Sequence, residues 1–261
     1  MSKTAGQGWS AVLLDAASNV RSTVRKTLLN RSSMDFQDLK KELDREAQQA
    51  IYQTLVDAGN PVHVISEEGD YTLGEGGAYI TVDPVDGTTN LAKGIPLAVT
   101  SLAVSRSRKL SDVQSAVIMD LYTGEIFRAE RNRGAWRGGK RLYTPGPKLI
   151  KDMLLSMDIS KGNPVTPYSE LIPKARYIRQ LGCSAISICY VAAGLVDAHV
   201  DIRGSLRATD VAAALTILRE AGGIIKVNGE YSGDLELSRD SKLTVIAATN
   251  PGTMEEVVNL L

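Results

Sequence analysis

The chain has 261 residues, 43% of them hydrophobic, with 30 basic and 30 acidic side chains and a formal net charge of +0. That is enough apolar material for one large domain or two tightly joined halves. The charge balance provides no net field to attract nucleic acid or an anionic membrane, so neither is expected as a partner.

Cys183 and Cys189, the two cysteines, are too few and too badly placed for a disulfide framework or a zinc site and read as small core residues. Residues 1–8 lack a basic segment followed by an apolar one, and no run is long enough to span a bilayer. A soluble, cytoplasmic protein is expected.

Trp9, Val12, Leu13, Ala16, Val20, Val24 and Leu28 recur at helical spacing, which predicts a helix over about 8–30 with a break at Arg31-Ser32-Ser33. Leu39, Leu43, Ala47, Ile51 and Leu55 predict a second helix, ending near Gly59-Asn60-Pro61. Val62 to Ile65 reads as a short strand, with His63 a core histidine within it. The strand runs into Ser66-Glu67-Glu68, and residues 70–77 read as a loop or hairpin.

Ala78 to Val82 predicts a buried strand, and Pro84 should end its ladder. Segments at 97–104, 113–119, 125–129 and 135–136 predict an antiparallel meander. Pro145-Gly146-Pro147 is the clearest break, which suggests an N-terminal α+β half over 1–147 and a C-terminal α/β half over 148–261. In the second half, strands are expected at 153–157, from Tyr177 into Gly182, at 196–202, 224–227 and 243–248. Residues 163–167 read as a loop, Tyr168 to Leu171 as a short helix and 203–208 as a loop. Longer helices are expected from Ser184 to Gly194, from Thr209 or Asp210 to Ala221, and after Asn250-Pro251.

The stretch that carries chemistry is Asp83-Pro84-Val85-Asp86-Gly87-Thr88-Thr89-Asn90. Two carboxylates with the Val85 carbonyl between them make hard oxygen ligation suited to Mg²⁺. Gly87 allows close backbone approach, and the N–H groups of Gly87 and Thr88 can face an anion. By itself this is also ordinary turn chemistry. Glu67 at a strand end and Asp210 at a helix start add two more acidic groups, although a charged loop and a helix cap account for them equally well alone. Four carboxylates at element ends suggest one cluster, whose repulsion a divalent cation would turn into attraction.

Asp83-Pro84-Val85-Asp86-Gly87-Thr88-Thr89-Asn90 resembles the signature of the inositol monophosphatase superfamily. Glu67-Glu68 upstream, and Asp210-Val211-Ala212-Ala213 with Glu220-Ala221-Gly222-Gly223 downstream, match two further motifs in order. Asp201-Ile202-Arg203-Gly204-Ser205-Leu206-Arg207 is most similar to archaeal members, several of which also hydrolyse fructose 1,6-bisphosphate.

The resemblance implies a layered αβαβα sandwich, a homodimer and Mg²⁺-dependent hydrolysis of a small polyol or sugar phosphate. Glu67, Asp83 and the Val85 carbonyl would hold one Mg²⁺. Asp83, Asp86 and Asp210 would hold a second. The stretch before Asp44, with Lys41 near the family's lysine, only partly matches, which leaves a third site open. Gly87 and Thr88 would bind phosphate. Thr88, Asp44 and Glu67 would position or deprotonate water. Gly182, Cys183, Ser184 and Asp201 would meet the rest of the substrate, with Asp86 beside them. Thr209 stands where many members have tryptophan. Arg203 and Arg207 are candidates for a second substrate phosphate through bidentate contacts, with surface salt bridges the alternative. Two other functions remain: a 3′-phosphoadenosine 5′-phosphate phosphatase, and a non-catalytic regulatory protein on the same fold.

Overall fold

The computed structural model describes residues 8–30, 34–161, 165–231 and 234–261. The expected break at 31–33, the first seven residues and part of the expected loop at 163–167 lie outside the described residues.

Two helices open the chain, α1 (Trp9–Leu29) and α2 (Phe36–Ala58). Asp35 caps α2 by accepting the N–H groups of Gln37 and Asp38 at 2.8 and 2.9 Å. Then follow β1 (Val62–Ser66), β2 (Tyr71–Leu73), β3 (Ala78–Asp86), a short α3 (Thr88–Lys93), β4 (Val99–Ser105), β5 (Val113–Asp120), β6 (Ile126–Glu130), β7 (Gly134–Arg137) and β8 (Lys140–Arg141). These eight strands form one sheet in the order β2-β1-β3-β4-β5-β6-β7-β8. Only β1 and β3 pair in parallel; the rest is the expected antiparallel meander.

The remaining elements are β9 (Leu154–Met157), β10 (Tyr177–Arg179), α4 (Ser184–Ala192), β11 (Ala198–Leu206), α5 (Ala208–Glu220), β12 (Ile224–Val227), β13 (Leu243–Ala248) and α6 (Pro251–Val258). Their strands form a second sheet, β10-β9-β11-β13-β12.

Side chains alternate across each strand, so each sheet buries two faces. On β5, Val117 and Met119 pack with α1 and α2, whereas Ala116 and Ile118 pack with α4 and α5. On β13, Val245 and Ala247 face α4 and α5, whereas Ile246 and Ala248 pack with Met254 and Val257 of α6. The layers therefore run helix pair, sheet, helix pair, sheet, helix, an αβαβα sandwich. The central layer is buried on both sides, which explains why α4 and α5 are almost wholly apolar or small. At the end of α5 the Glu220 carboxylate accepts the N–H groups of Asn132 and Gly134, both at 2.9 Å, and pins the helix to the β6–β7 turn. Gly223 has no room for a side chain, because a Cβ would lie 2.2 Å from Leu218.

Several expectations need correction. Pro84 does not end the ladder: β3 pairs with β4 at Asp83, shifts register, and pairs again at Asp86. Proline's missing donor is absorbed in that bulge. Residues 203–206 belong to β11 and α5 starts at Ala208, so Asp210 is the third helical residue and not the cap. Cys183 occupies the cap position of α4, ahead of Ser184, and β10 stops at Arg179. A 3₁₀ turn over Thr166–Tyr168 reaches into the expected loop, and turns follow it where the short helix over Tyr168 to Leu171 was expected. His63 is only half-buried, stacked on Tyr79 at 4.9 Å with Nδ1 3.1 Å from Thr72 Oγ1.

Candidate metal and phosphate site

Glu67 follows β1 directly, and its N–H donates to the Val82 carbonyl on β3 at 3.1 Å. That bond carries the end of β1 alongside Asp83. The bulge at Pro84 turns the next residues so that Asp83 and Asp86 both reach the same end of the sheet. From the central layer, α5 brings Asp210. Ligand oxygens of Glu67, Asp83 and Asp210 lie within 4.8 Å of one another.

Asp83 is 2% exposed, and its carboxylate accepts the Val85 N–H at 3.1 Å. Burial, followed by the charges of Glu67, Asp86 and Asp210, holds its pKa well above the usual range; Arg207 opposes this. Burial also raises the Asp210 carboxyl, while the Arg207 guanidinium and N–H lower it. Asp86 is raised to about 7, mainly by burial, with the Ala185 N–H opposing. Carboxyls held above their ordinary range by burial, and further by one another, are a donor set short of positive charge. An all-oxygen set of this kind fits Mg²⁺.

Asp86 lies outside the group of three. Its carboxylate accepts the Ala185 N–H at 2.6 Å, in the first turn of α4. Thr88 Oγ1 lies 3.0 Å from Asp44 Oδ1 and 2.8 Å from the Val85 carbonyl, which ties α2 to the turn. The Asp44 carboxyl is raised to about 7, chiefly by burial and secondarily by Glu68 and Glu67; the Thr88 hydrogen bond opposes this. Gly87 has φ +88°, and a Cβ there would lie 2.8 Å from the Leu97 carbonyl oxygen, so glycine is required. Asn90 Nδ2 donates to the carbonyls of Leu97 and Leu181 at 3.0 and 2.8 Å, which anchors the segment before Gly182 to the turn.

A cavity of about 500 Å³ opens over this group, lined among others by Glu67, Asp83, Asp86, Gly87, Thr88 and Asp210. Gly182, Ser184, Arg203 and Arg207 line it too. Two expected substrate contacts lie behind the wall instead. Cys183 is buried with Sγ 3.5 Å from the Asp86 carbonyl, and Asp201 is fully buried. Asp201 binds Arg203, accepting Nε at 2.9 Å and Nη2 at 2.5 Å. Arg203 also reaches Asp158 at 3.0 Å and Ser160 at 2.9 Å, so its guanidinium is committed within the fold and is not a free arm or a surface salt bridge. Arg207 contacts Glu67 through Nη2 and approaches Asp210 Oδ1 at 3.3 Å through Nε.

Lys40 was missed. It lines the cavity, with Nζ 3.1 Å from Thr89 Oγ1. The signal was present, since Lys40 precedes Asp44 by four residues on one helix face. Lys161 and Gln180 also line the cavity and carried no sequence signal. Lys41 does not line it.

A sequence model of the Inositol monophosphatase family matches residues 2–260. A Thermococcus kodakarensis fructose-1,6-bisphosphatase/inositol-1-monophosphatase is 30% identical over 97% of this chain and 97% of its own length. The Nus factor SuhB of Pseudomonas aeruginosa is 33% identical over 83% of this chain and 81% of its own. Among solved structures, a Pyrococcus horikoshii protein described as having similarities to inositol-1 monophosphatase superposes with a TM-score of 0.80. It is 28% identical, covering 97% of this chain and 98% of that one.

Proposed function

The chain belongs to the inositol monophosphatase family, and from that premise we propose that it is a Mg²⁺-dependent phosphatase acting on the monoester of a small polyol or sugar. The observation that carries this reading is the convergence of Glu67, Asp83 and Asp210 from three separate elements beside Gly87 and Thr88, under one cavity.

Glu67, Asp83 and the Val85 carbonyl are the proposed ligands of one Mg²⁺, and Asp83, Asp86 and Asp210 those of a second. When bound, the ions supply Lewis-acid polarisation of a phosphoryl oxygen and acidify a water. The chain's own residues orient and move protons. Thr88 Oγ1, 3.0 Å from Asp44 Oδ1, accepts a proton from water while passing its own to Asp44. A carboxyl raised to about 7 accepts that proton near neutrality. Glu67 is the alternative base. Backbone N–H groups of Gly87 and Thr88 are proposed to meet the phosphate oxygens.

The archaeal relative's name supports inositol monophosphate and fructose 1,6-bisphosphate as substrates to compare first. Lys40 and Lys161 are the lining cations left for a second phosphate once Arg203 and Arg207 are paired with carboxylates. A non-catalytic regulatory role is favoured by the relative named a Nus factor; the complete acidic set argues for chemistry. We also propose a homodimer, which light scattering of the purified protein tests. No helix among the described residues is long and apolar enough to cross a membrane.

Phosphate release with Mg²⁺, against EDTA, on both substrates tests the reading. Metal-dependent release from either supports it, and the kcat/KM ratio ranks the substrates. No release from either, with Mg²⁺ bound, overturns it in favour of the regulatory role.

A further inference from the structure

We propose that Arg207 is an internal counter-ion for the metal carboxylates: its guanidinium holds Glu67 and Asp210 until a divalent cation displaces it, so that metal loading and release of this arginine are one exchange. The proposal rests on the metal assignment above.

Arg207 stands one residue before α5, and its guanidinium joins carboxylates from both halves of the chain. Nη2 meets Glu67, 140 residues away, and Nε lies 3.3 Å from Asp210 Oδ1. The charge of Arg207 is also felt at Asp83. One planar monovalent group thus serves three carboxylates whose oxygens lie within 4.8 Å of one another. Its fork can pair closely with two of them and leaves the cluster short of positive charge. A divalent ion places two charges at one point within reach of all three oxygens. The two cations compete for the same atoms, so each weakens the other's hold.

The anchoring suits exchange. The Arg207 N–H donates to Asp210 Oδ2 at 2.9 Å, a backbone bond that does not depend on where the guanidinium points. The side chain is 34% exposed, against 4% for Arg203, so it can turn toward the cavity without leaving a buried charge behind. Released, it faces the cavity that Gly87 and Thr88 also line, where an incoming phosphate offers replacement acceptors.

The test compares wild type, Arg207→Gln and Arg207→Lys by calorimetric Mg²⁺ titration and by melting in EDTA and in saturating Mg²⁺. Arg207→Gln is expected to melt lower than wild type in EDTA, to match it in Mg²⁺, and to bind Mg²⁺ about tenfold more tightly, the effect of removing a competitor worth roughly 1.4 kcal/mol. Its KM for substrate should rise while its Mg²⁺ requirement falls. Arg207→Lys keeps the charge but not the fork and should lie between, which preserves the comparison if the glutamine variant does not fold. Equal melting losses in both buffers, or Mg²⁺ binding no tighter than wild type, would overturn the exchange and leave an ordinary structural ion pair. Failure of wild type to bind Mg²⁺ at all would instead overturn the metal assignment, and the exchange with it.

Discussion

Arg203, within β11, and Arg207, at the junction of β11 with α5, end on carboxylates in opposite circumstances. Around Arg203 the chain finishes its own electrostatics. Asp201 and Asp158 take the guanidinium, Ser160 takes a remaining donor, and the side chain is almost fully buried. Around Arg207 the chain stops short, because one partly exposed guanidinium pairs with Glu67 and Asp210 while the Asp83 carboxylate lies within 4.8 Å of theirs. A cluster whose donors and acceptors match is a structural element. One left in excess of a single sign can take an ion from outside; both clusters line the cavity, but only the second leaves its guanidinium partly exposed there.

The comparison breaks most visibly at Asp83. Asp83→Asn should lower Mg²⁺-dependent turnover by roughly 10³-fold or more, the scale lost when charge stabilisation is removed, yet raise the melting temperature in EDTA by relieving repulsion. Retained turnover would exclude Asp83 as a ligand. Arg203→Met should do the reverse: about 3–5 kcal/mol of stability lost by urea unfolding, from leaving buried carboxylates unpaired, with no recovery on adding Mg²⁺. A variant as stable as wild type would mean the Arg203 cluster is not the finished one.

His199, buried behind Asp201 with Nδ1 3.2 Å from Ser156 Oγ, sharpens the contrast through pH. Burial lowers its pKa from 6.5 to about 4, so the unfolded chain binds the extra proton between those values. Its contribution, on the order of 3 kcal/mol, is present above pH 6.5 and lost as pH falls toward 4. His199→Asn should flatten that slope in urea melts at pH 4, 5 and 7, and an unchanged slope would place the titration elsewhere. The smallest effect is expected at the turn. Gly87→Ala, forced into φ +88° against the Leu97 carbonyl, should cost about 1–3 kcal/mol and raise KM for the phosphate ester; a neutral result would mean the turn relaxes.

Much of the fold and of the acidic cluster was legible in the sequence, for a local reason, whereas the two arginines read alike. The acidic turn, the strand before it and the helix after it are consecutive residues, so turn chemistry and ligand spacing could be read together. The amphipathic α1 and α2 and the meander followed from apolar periodicity. The partners of Arg203 were not legible, because Asp158 follows the end of β9 in the second sheet and nothing in its neighbourhood marks it. Nor was the continuation of β3 past Pro84, since a bulge that restores pairing depends on β4 and not on the proline. Asp210 was found as an acidic group at a helix start, but its place as the third helical residue depends on where β11 ends. Cys183 and Asp201 had the right positions in the chain and the wrong side of the cavity wall, a distinction that side-chain direction alone decides.

Glu67 and Arg207 are 140 residues apart, and that separation is also an interval of time. At a synthesis rate of about 5–20 residues per second, Arg207 leaves the ribosome roughly 7–28 s after Glu67. By the end of that interval Glu67, Asp83, Asp86 and the residues of the first sheet have all emerged, ahead of the arginine and the helix that later face them. Completion of the site therefore follows the emergence of α5, and the proposed metal, with ligands from both halves, would read out that the two have met.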